Sequence, residues 1–344
     1  MICLRSSSRQ APGLFPGIGA ISAAVLLLSL SDALVKLQNG GLSLGQVLMV
    51  RSGTAVLCLV GTLWLFAQAG GLASGVTRWV WVRSLCLALM WGCYYAGLPG
   101  LSFSIAAACY YTAPIWMAVL SFLLLGTRIG ARGGWAILLG FAGVLTILRP
   151  GLDALSPVVA LPLLAGFLYA LAAVITQGRC RDVPPISMAL NLNLVLVLAG
   201  AAHLAVRLWL GAGDEAGFLM SVWPGLGMRG WALLIGLGVA LAVITALVAF
   251  AYQRAPVPII GLFDNGYLVF ALVWSVLLLG ERPDLVDLLG IVLIGCGALL
   301  ASRRLTGGEG GGAKRMRGRR ALSPGGFEGS VLRGVCAVLT AGRR

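Results

Sequence analysis

Residues 29–51 read SLSDALVKLQNGGLSLGQVLMVR and set three ionisable residues, Asp32, Lys36 and Arg51, between two long apolar runs. One run covers residues 21–30 and the other residues 55–67. Ionisable groups at such positions are costly in a bilayer and mark a pathway or a structural pair. Asp32 and Lys36 are four residues apart, so on a helix they share a face and can neutralise each other. Ser29 joins that face. On the following segment Arg51, Thr54 and Cys58 form a second helical face. The pattern predicts two membrane helices turning these faces toward a common polar interior.

Composition extends that reading to the whole chain. Of 344 residues, 59% are hydrophobic and only 10% charged, with a mean hydropathy of +0.97. A soluble domain carries about 25% charged residues, so a soluble fold is excluded. The 49 glycines suit close helix approach in lipid. The net charge of +14 does not indicate nucleic-acid binding, because the basic residues sit at helix ends and in one tail. The eight cysteines form no CxxC pair and fall mostly in apolar runs, where a free cysteine acts as a small hydrophobe. No metal site, cofactor or disulfide framework is expected.

A helix across the hydrocarbon core needs about 20 apolar residues. Ten such segments are legible, near 15–37, 45–67, 79–99, 104–125, 133–149, 158–177, 187–209, 231–253, 257–279 and 285–302. The run from Leu14 leads into Asp32 with no small-residue cleavage pattern, so it reads as a first spanning helix and not a signal peptide. With the N-terminus inside, eleven arginines fall in or beside the inner loops and six basic residues fall outside or in the membrane. The basic tail adds to the inner side, so both termini are expected in the cytoplasm. Residues 303–344 are Gly- and Arg-rich and cannot build a core. Such a tail can be drawn to anionic headgroups, although a solvated tail is the simpler expectation.

The chain also repeats itself. In one ungapped register of offset 154, Leu123-Leu124-Leu125-Gly126 aligns with Leu277-Leu278-Leu279-Gly280. Arg128 aligns with Arg282, Gly143 with Gly297, and Tyr110-Tyr111 with Asp264-Asn265. Each copy holds five helices, an odd number, so the second enters the membrane upside down. The expected fold is an all-α integral membrane protein of ten transmembrane helices in two inverted five-helix repeats, 15–149 and 158–302. Residues 1–14 and 303–344 flank them. Inverted repeats are a mark of secondary transporters, with the substrate site between the halves.

Several features resemble the EamA family of the drug/metabolite transporter superfamily. They are Asp32-Ala33-Leu34-Val35-Lys36, the Gln46-to-Arg51 opening of the second helix, Tyr110-Tyr111-Thr112-Ala113-Pro114 and the two LLLG-x-R turns. The resemblance covers residues 15–302. It implies ten helices in two inverted repeats and carriage of a small metabolite across the inner membrane. The family's usual Gly-Glu-Arg turn is kept at Gly280-Glu281-Arg282, whereas the first copy has Gly126-Thr127-Arg128.

Candidate site residues follow from polarity at membrane depth. Asp32, Lys36, Arg51 and Asp264 form a balanced set of two positive and two negative charges. Asp264 and Asn265 either line a cavity or pair with Arg51 or Lys36. Tyr110 and Tyr111 can line the same cavity from the other half, stacking on a planar substrate, or serve as packing. Asn191 and Asn193 line the cavity or bond between helices. Trp116, with Trp91 and Trp274, lies deep enough to reach it. The expected function is alternating-access transport of a small polar or charged metabolite, with a proton as a candidate coupling ion. The alternatives are a membrane-embedded lipid-modifying enzyme and a non-transporting scaffold. No HExxH, GxSxG or P-loop supports the enzyme. The expected partners are a small-molecule metabolite and the lipid bilayer, and the Gly-rich helices permit a homodimer.

Overall fold

The computed structural model describes residues 14–36, 42–65, 77–97, 109–127, 130–148, 157–210, 221–280 and 284–302. The terminal segments 1–13 and 303–344, Arg128, Arg282 and the Lys36 side chain lie outside the described residues. The described residues are helical and contain no strand. The helices are α1 (Leu14–Lys36), α2 (Leu44–Leu65), α3 (Arg78–Gly97), α4 (Ala113–Leu125), α5 (Ala131–Leu148) and α6 (Ala160–Arg179). They continue as α7 (Pro185–Trp209), α8 (Met228–Arg254), α9 (Val257–Asp264), α10 (Gly266–Leu279) and α11 (Leu285–Ser302).

Seven segments among the described residues are long and apolar enough to cross a membrane. With α3, α4 and α11 there are ten helical segments among the described residues, counting α9 and α10 as one, close to the boundaries expected from the sequence. Proline opens several helices, at Pro114, Pro185 and Pro258, where its missing N–H has no helical partner to lose. Large apolar side chains are exposed along the outside, and Trp64, Trp81, Trp135 and Trp209 stand exposed near helix ends. That is the distribution of a bilayer-facing surface with aromatic belts.

The ninth segment is not the single helix expected. It breaks at Asn265, between α9 and α10, where the cap N–H donates to the Phe263 carbonyl. The first copy breaks in the same register. Cys109 and Tyr110 are helical and give way to a turn at Tyr111-Thr112 before α4 starts. There the Thr112 hydroxyl donates to the Cys109 carbonyl at 2.6 Å. Period and polarity along a sequence register apolar continuity, so one turn of lost helix leaves no trace in them.

The ends of α4 and α10 also correspond. Gly126 and Gly280 both take a left-handed conformation, with φ of 67° and 69°. After α4 the Gly126 N–H donates to the Phe122 carbonyl and the Thr127 N–H to the Ser121 carbonyl, a Schellman cap that favours glycine.

Helix packing follows a reciprocal pattern. α3 lies on α6 and α1 on α8; α4 lies on α6 and α1 on α10. α2 packs on α7, and α5 on α11. In the α5–α11 pair a Cβ on Gly143 would stand 2.7 Å from the Gly290 carbonyl oxygen. One on Gly297 would stand 2.8 Å from the Ala136 carbonyl oxygen. These two contacts exchange under the 154-residue offset, and early residues of one helix meet late residues of the other, so α5 and α11 run antiparallel. Gly297→Ala is therefore expected to lower the melting temperature in detergent, by about 1–3 kcal/mol of overpacking. Gly295→Ala on the same helix meets open space and should change stability by under about 0.5 kcal/mol.

Candidate functional site: a tyrosine strip between two carboxylates

The chain contains seven tyrosines, and they form one connected cluster inside the bundle. Asp32, near the end of α1, accepts a hydrogen bond from the Tyr267 hydroxyl of α10 at 2.8 Å. The Tyr267 ring lies 6.5 Å from Tyr111, and Tyr111 lies 5.5 Å from Tyr110. Tyr110 stacks on Tyr169 of α6 at 5.8 Å. The Tyr169 hydroxyl donates to Asp264, at the end of α9, at 2.7 Å. Tyr252 of α8 adds a 3.3 Å hydrogen bond to Tyr169. Tyr94 meets Tyr110 edge-on at 5.6 Å, and Tyr95 stacks on Trp91 at 5.4 Å. The two carboxylates are thus the ends of a continuous strip of rings.

Local structure explains the placement. The break at Tyr111-Thr112 turns successive tyrosines into the bundle, where an unbroken helix would set them about 100° apart. Gly166, one turn before Tyr169, lets α6 approach closely; a Cβ there would stand 2.8 Å from the Tyr110 carbonyl oxygen. The break after Asp264 puts its carboxylate at a helix end, opposite that turn. Discontinuous helices that line an interior are where membrane transporters build their sites.

Arg51 is close enough to Asp32 and Tyr95 for its charge to be felt by both. It makes no direct ion pair with Asp32 among the described residues, and its Nε and Nη2 are buried with no hydrogen-bond partner there. A guanidinium in this state has donors to offer. Asp264 takes Tyr169 as its partner, so the alternative of an Asp264–Arg51 pair is not seen. Ser29 receives the indole N–H of Trp274 at 3.2 Å. Trp91 and Trp274 therefore both reach the cluster, while Trp116 packs edge-on against Phe167 at 5.5 Å beside it.

The asparagines separate into different places. Asn193 is fully buried and donates to the Ala189 carbonyl at 2.8 Å and the Thr245 hydroxyl at 3.1 Å. It fastens α7 to α8. Asn191 is buried with Oδ1 unpartnered. Asn265 is 2% exposed, with its Nδ2 beside Gly140 of α5.

Five tyrosines, Tyr94, Tyr95, Tyr169, Tyr252 and Tyr267, were not among the expected site residues. Their position gave no signal, because Tyr94, Tyr95, Tyr252 and Tyr267 lie within three residues of a helix end, as several tryptophans do. Arg83 is a correction of another kind. It is one of the eleven arginines that the sequence assigns to the inner loops or their edges, yet it lies within α3 and is 2% exposed. A cavity of about 320 Å³ lies elsewhere, between α1 and α8. Its walls, such as Leu27, Leu30, Leu233 and Leu237, are apolar and suit hydrocarbon better than charge. Among the described residues no group of His, Cys, Asp or Glu could hold a metal.

Comparison with known proteins agrees with this architecture. The chain is 25% identical over 290 residues to the pseudopaline exporter CntI of Pseudomonas aeruginosa (strain UCBPP-PA14), covering 83% of this chain and 95% of that one. It is 27% identical over 242 residues to a riboflavin transporter of Rhizobium johnstonii, covering 69% and 75% respectively. A solved crystal structure superposes with a TM-score of 0.70 at 20% identity, over 85% of this chain and 98% of its own, a likeness of fold. The EamA-like transporter family matches residues 15–149 and again 156–303. This chain, a multi-pass membrane protein and a transporter, belongs to the EamA-like transporter family.

Proposed function

We propose that the protein is a secondary transporter that moves a small polar or charged metabolite by alternating access. The observation that carries this reading is the tyrosine strip joining Asp32 to Asp264 in the bundle interior. Hydroxyls, carboxylates and the free donors of Arg51 offer partners to a polar solute, and the rings offer stacking surfaces to a planar one. Two inverted five-helix repeats, 15–149 and 158–302, would form the halves that rock about this site. The reciprocal contacts of α5 and α11 support that arrangement, because equivalent helices running antiparallel are what an in-plane two-fold axis requires.

In this reading Asp32, Lys36, Arg51, Tyr110, Tyr111 and Asp264 bind substrate or couple its movement. Trp116, Asn191, Asn193 and Asn265 shape the surroundings. Proton uptake by a carboxylate, or arrival of a charged solute, unbalances the charge set and favours the other conformation. Both termini would face the cytoplasm, from the excess of basic residues in the inner loops. The relatives are named for two different solutes, pseudopaline and riboflavin, which fits a site that recognises ring faces and a few charges.

Liposomes containing the purified chain and loaded with a mixture of small metabolites test the proposal. At least one polar or charged solute should leave them faster than it leaves protein-free liposomes, with a rate that depends on the proton gradient if a proton is coupled. Identical efflux of every solute from both preparations would contradict it.

A further inference from the structure

Arg83 is the most costly side chain that the tyrosine strip does not use. It is 2% exposed, and its Nε donates to the Thr176 hydroxyl of α6 at 2.8 Å. Its Nη1 is buried with no hydrogen-bond partner. No carboxylate among the described residues lies within ion-pair distance of it. Val80, on the same face of α3, belongs to an apolar cluster with Ile175, Cys180, Val183 and Met188, so low-polarity packing flanks the charge. An unpaired guanidinium so placed is strongly unfavourable unless something else compensates it.

Its position relates it to the strip. The hydrogen-bond partner of Arg83, Thr176, lies seven residues after Tyr169 on α6, on the same face of that helix, and Tyr169 is the residue that holds Asp264. In the proposed ten-span topology Arg83 and Arg51 lie near opposite membrane faces. α2 and α3 cross in opposite senses, and Arg51 sits seven residues into α2 while Arg83 sits five residues into α3. A single row therefore runs from one buried arginine with free donors, along the rings, to a second. Thr176 fixes the Arg83 fork through Nε and leaves Nη1 without a partner.

We infer that Arg83 binds an anionic group, a carboxylate or phosphate, of the transported molecule, as a second station at the opposite end of the strip from Arg51. This rests on the transporter reading and adds a substrate class to it: a planar organic anion or zwitterion. Guanidinium matches the two oxygens of a carboxylate or phosphate bidentately, and the rings between the stations hold the planar body. The anionic group passes from one arginine to the other as the halves rock, compensating each in turn.

Benzoate, the simplest aromatic carboxylate, and benzamide, its uncharged counterpart, test the assignment by thermal melting of the full chain in detergent at constant ionic strength. Benzoate should raise the wild-type melting temperature in a saturable way, and benzamide should not. Arg83→Gln should weaken apparent benzoate affinity by about tenfold or more, in line with loss of a charge-assisted hydrogen bond. Arg83→Lys gives up the guanidinium fork and keeps the charge, so it should remain within about threefold to tenfold of wild type. That graded order separates binding from a purely structural role, which would lower the melting temperature without altering the benzoate titration. A wild-type protein that responds alike to acid and amide, or to neither, overturns the inference. So does a response unchanged in Arg83→Gln. If the response survives Arg83→Gln but vanishes in Arg51→Gln, the anion binds at Arg51 alone, and the transporter reading stands without the second station. The liposome efflux measurement fails or succeeds independently of these titrations.

Discussion

Asp264→Ala reduces transport by about tenfold to a hundredfold in a chain that still folds. The estimate comes from the bond it removes. Asp264 accepts a 2.7 Å hydrogen bond from Tyr169, and a hydrogen bond to a charged group contributes about 1.5–3 kcal/mol. Each 1.4 kcal/mol corresponds to a factor of about ten. The variant also removes one of the two carboxylates on the strip, so a cationic or proton-coupled step loses its acceptor. Tyr169→Phe keeps the ring stacked on Tyr110 and removes only the hydroxyl, so its loss should be smaller, about threefold to tenfold. Initial efflux rates from liposomes at matched protein content measure both. Equal activity of Asp264→Ala and wild type would remove Asp264 from the site.

Asp32→Ala should cost more than transport alone. The Tyr267 hydroxyl loses its acceptor at 2.8 Å, and Arg51 loses a nearby opposite charge that it does not contact. The stability cost therefore falls below the about 3–5 kcal/mol of breaking a contacting buried pair. The expectation is a transport loss of about a hundredfold or more together with a lower melting temperature in detergent. Tyr267→Phe keeps Asp32 opposite Arg51 and should melt close to wild type. The double variant Asp32→Ala/Arg51→Ala should recover part of the lost stability, because no unpaired charge remains, while transport stays low. A double variant no more stable than Asp32→Ala would show that the two groups do not compensate each other.

Particular residues show what the sequence carried. Asp32, Arg51 and Asp264 stood out because charge inside an apolar run is conspicuous at any resolution of reading, and the structure brings Asp32 and Asp264 to one strip. The repeat was legible because Leu123–Gly126 and Leu277–Gly280 keep both identity and spacing; both glycines share a left-handed φ. Asn193 was ambiguous because a buried amide satisfies the same pattern whether it meets solute or a neighbouring helix, and its Thr245 partner is 52 residues away. The break at Asn265 stayed hidden because it changes one turn of backbone without changing hydropathy. Arg83 was misread because an arginine five residues from a helix start looks like a helix-end charge; only the packing of Thr176 against it reveals burial. The tyrosine strip required knowing which helices meet, since its members come from every part of the chain.

The central claim is that one interior site, built on Tyr110 and its neighbours, is reached in turn from both sides of the membrane. A single cysteine at position 110, in a chain whose eight native cysteines are replaced, tests it directly with a membrane-impermeant thiol reagent. The account predicts labelling from each face when the reagent is supplied on that face alone. Labelling from one face only, or from neither, would contradict it.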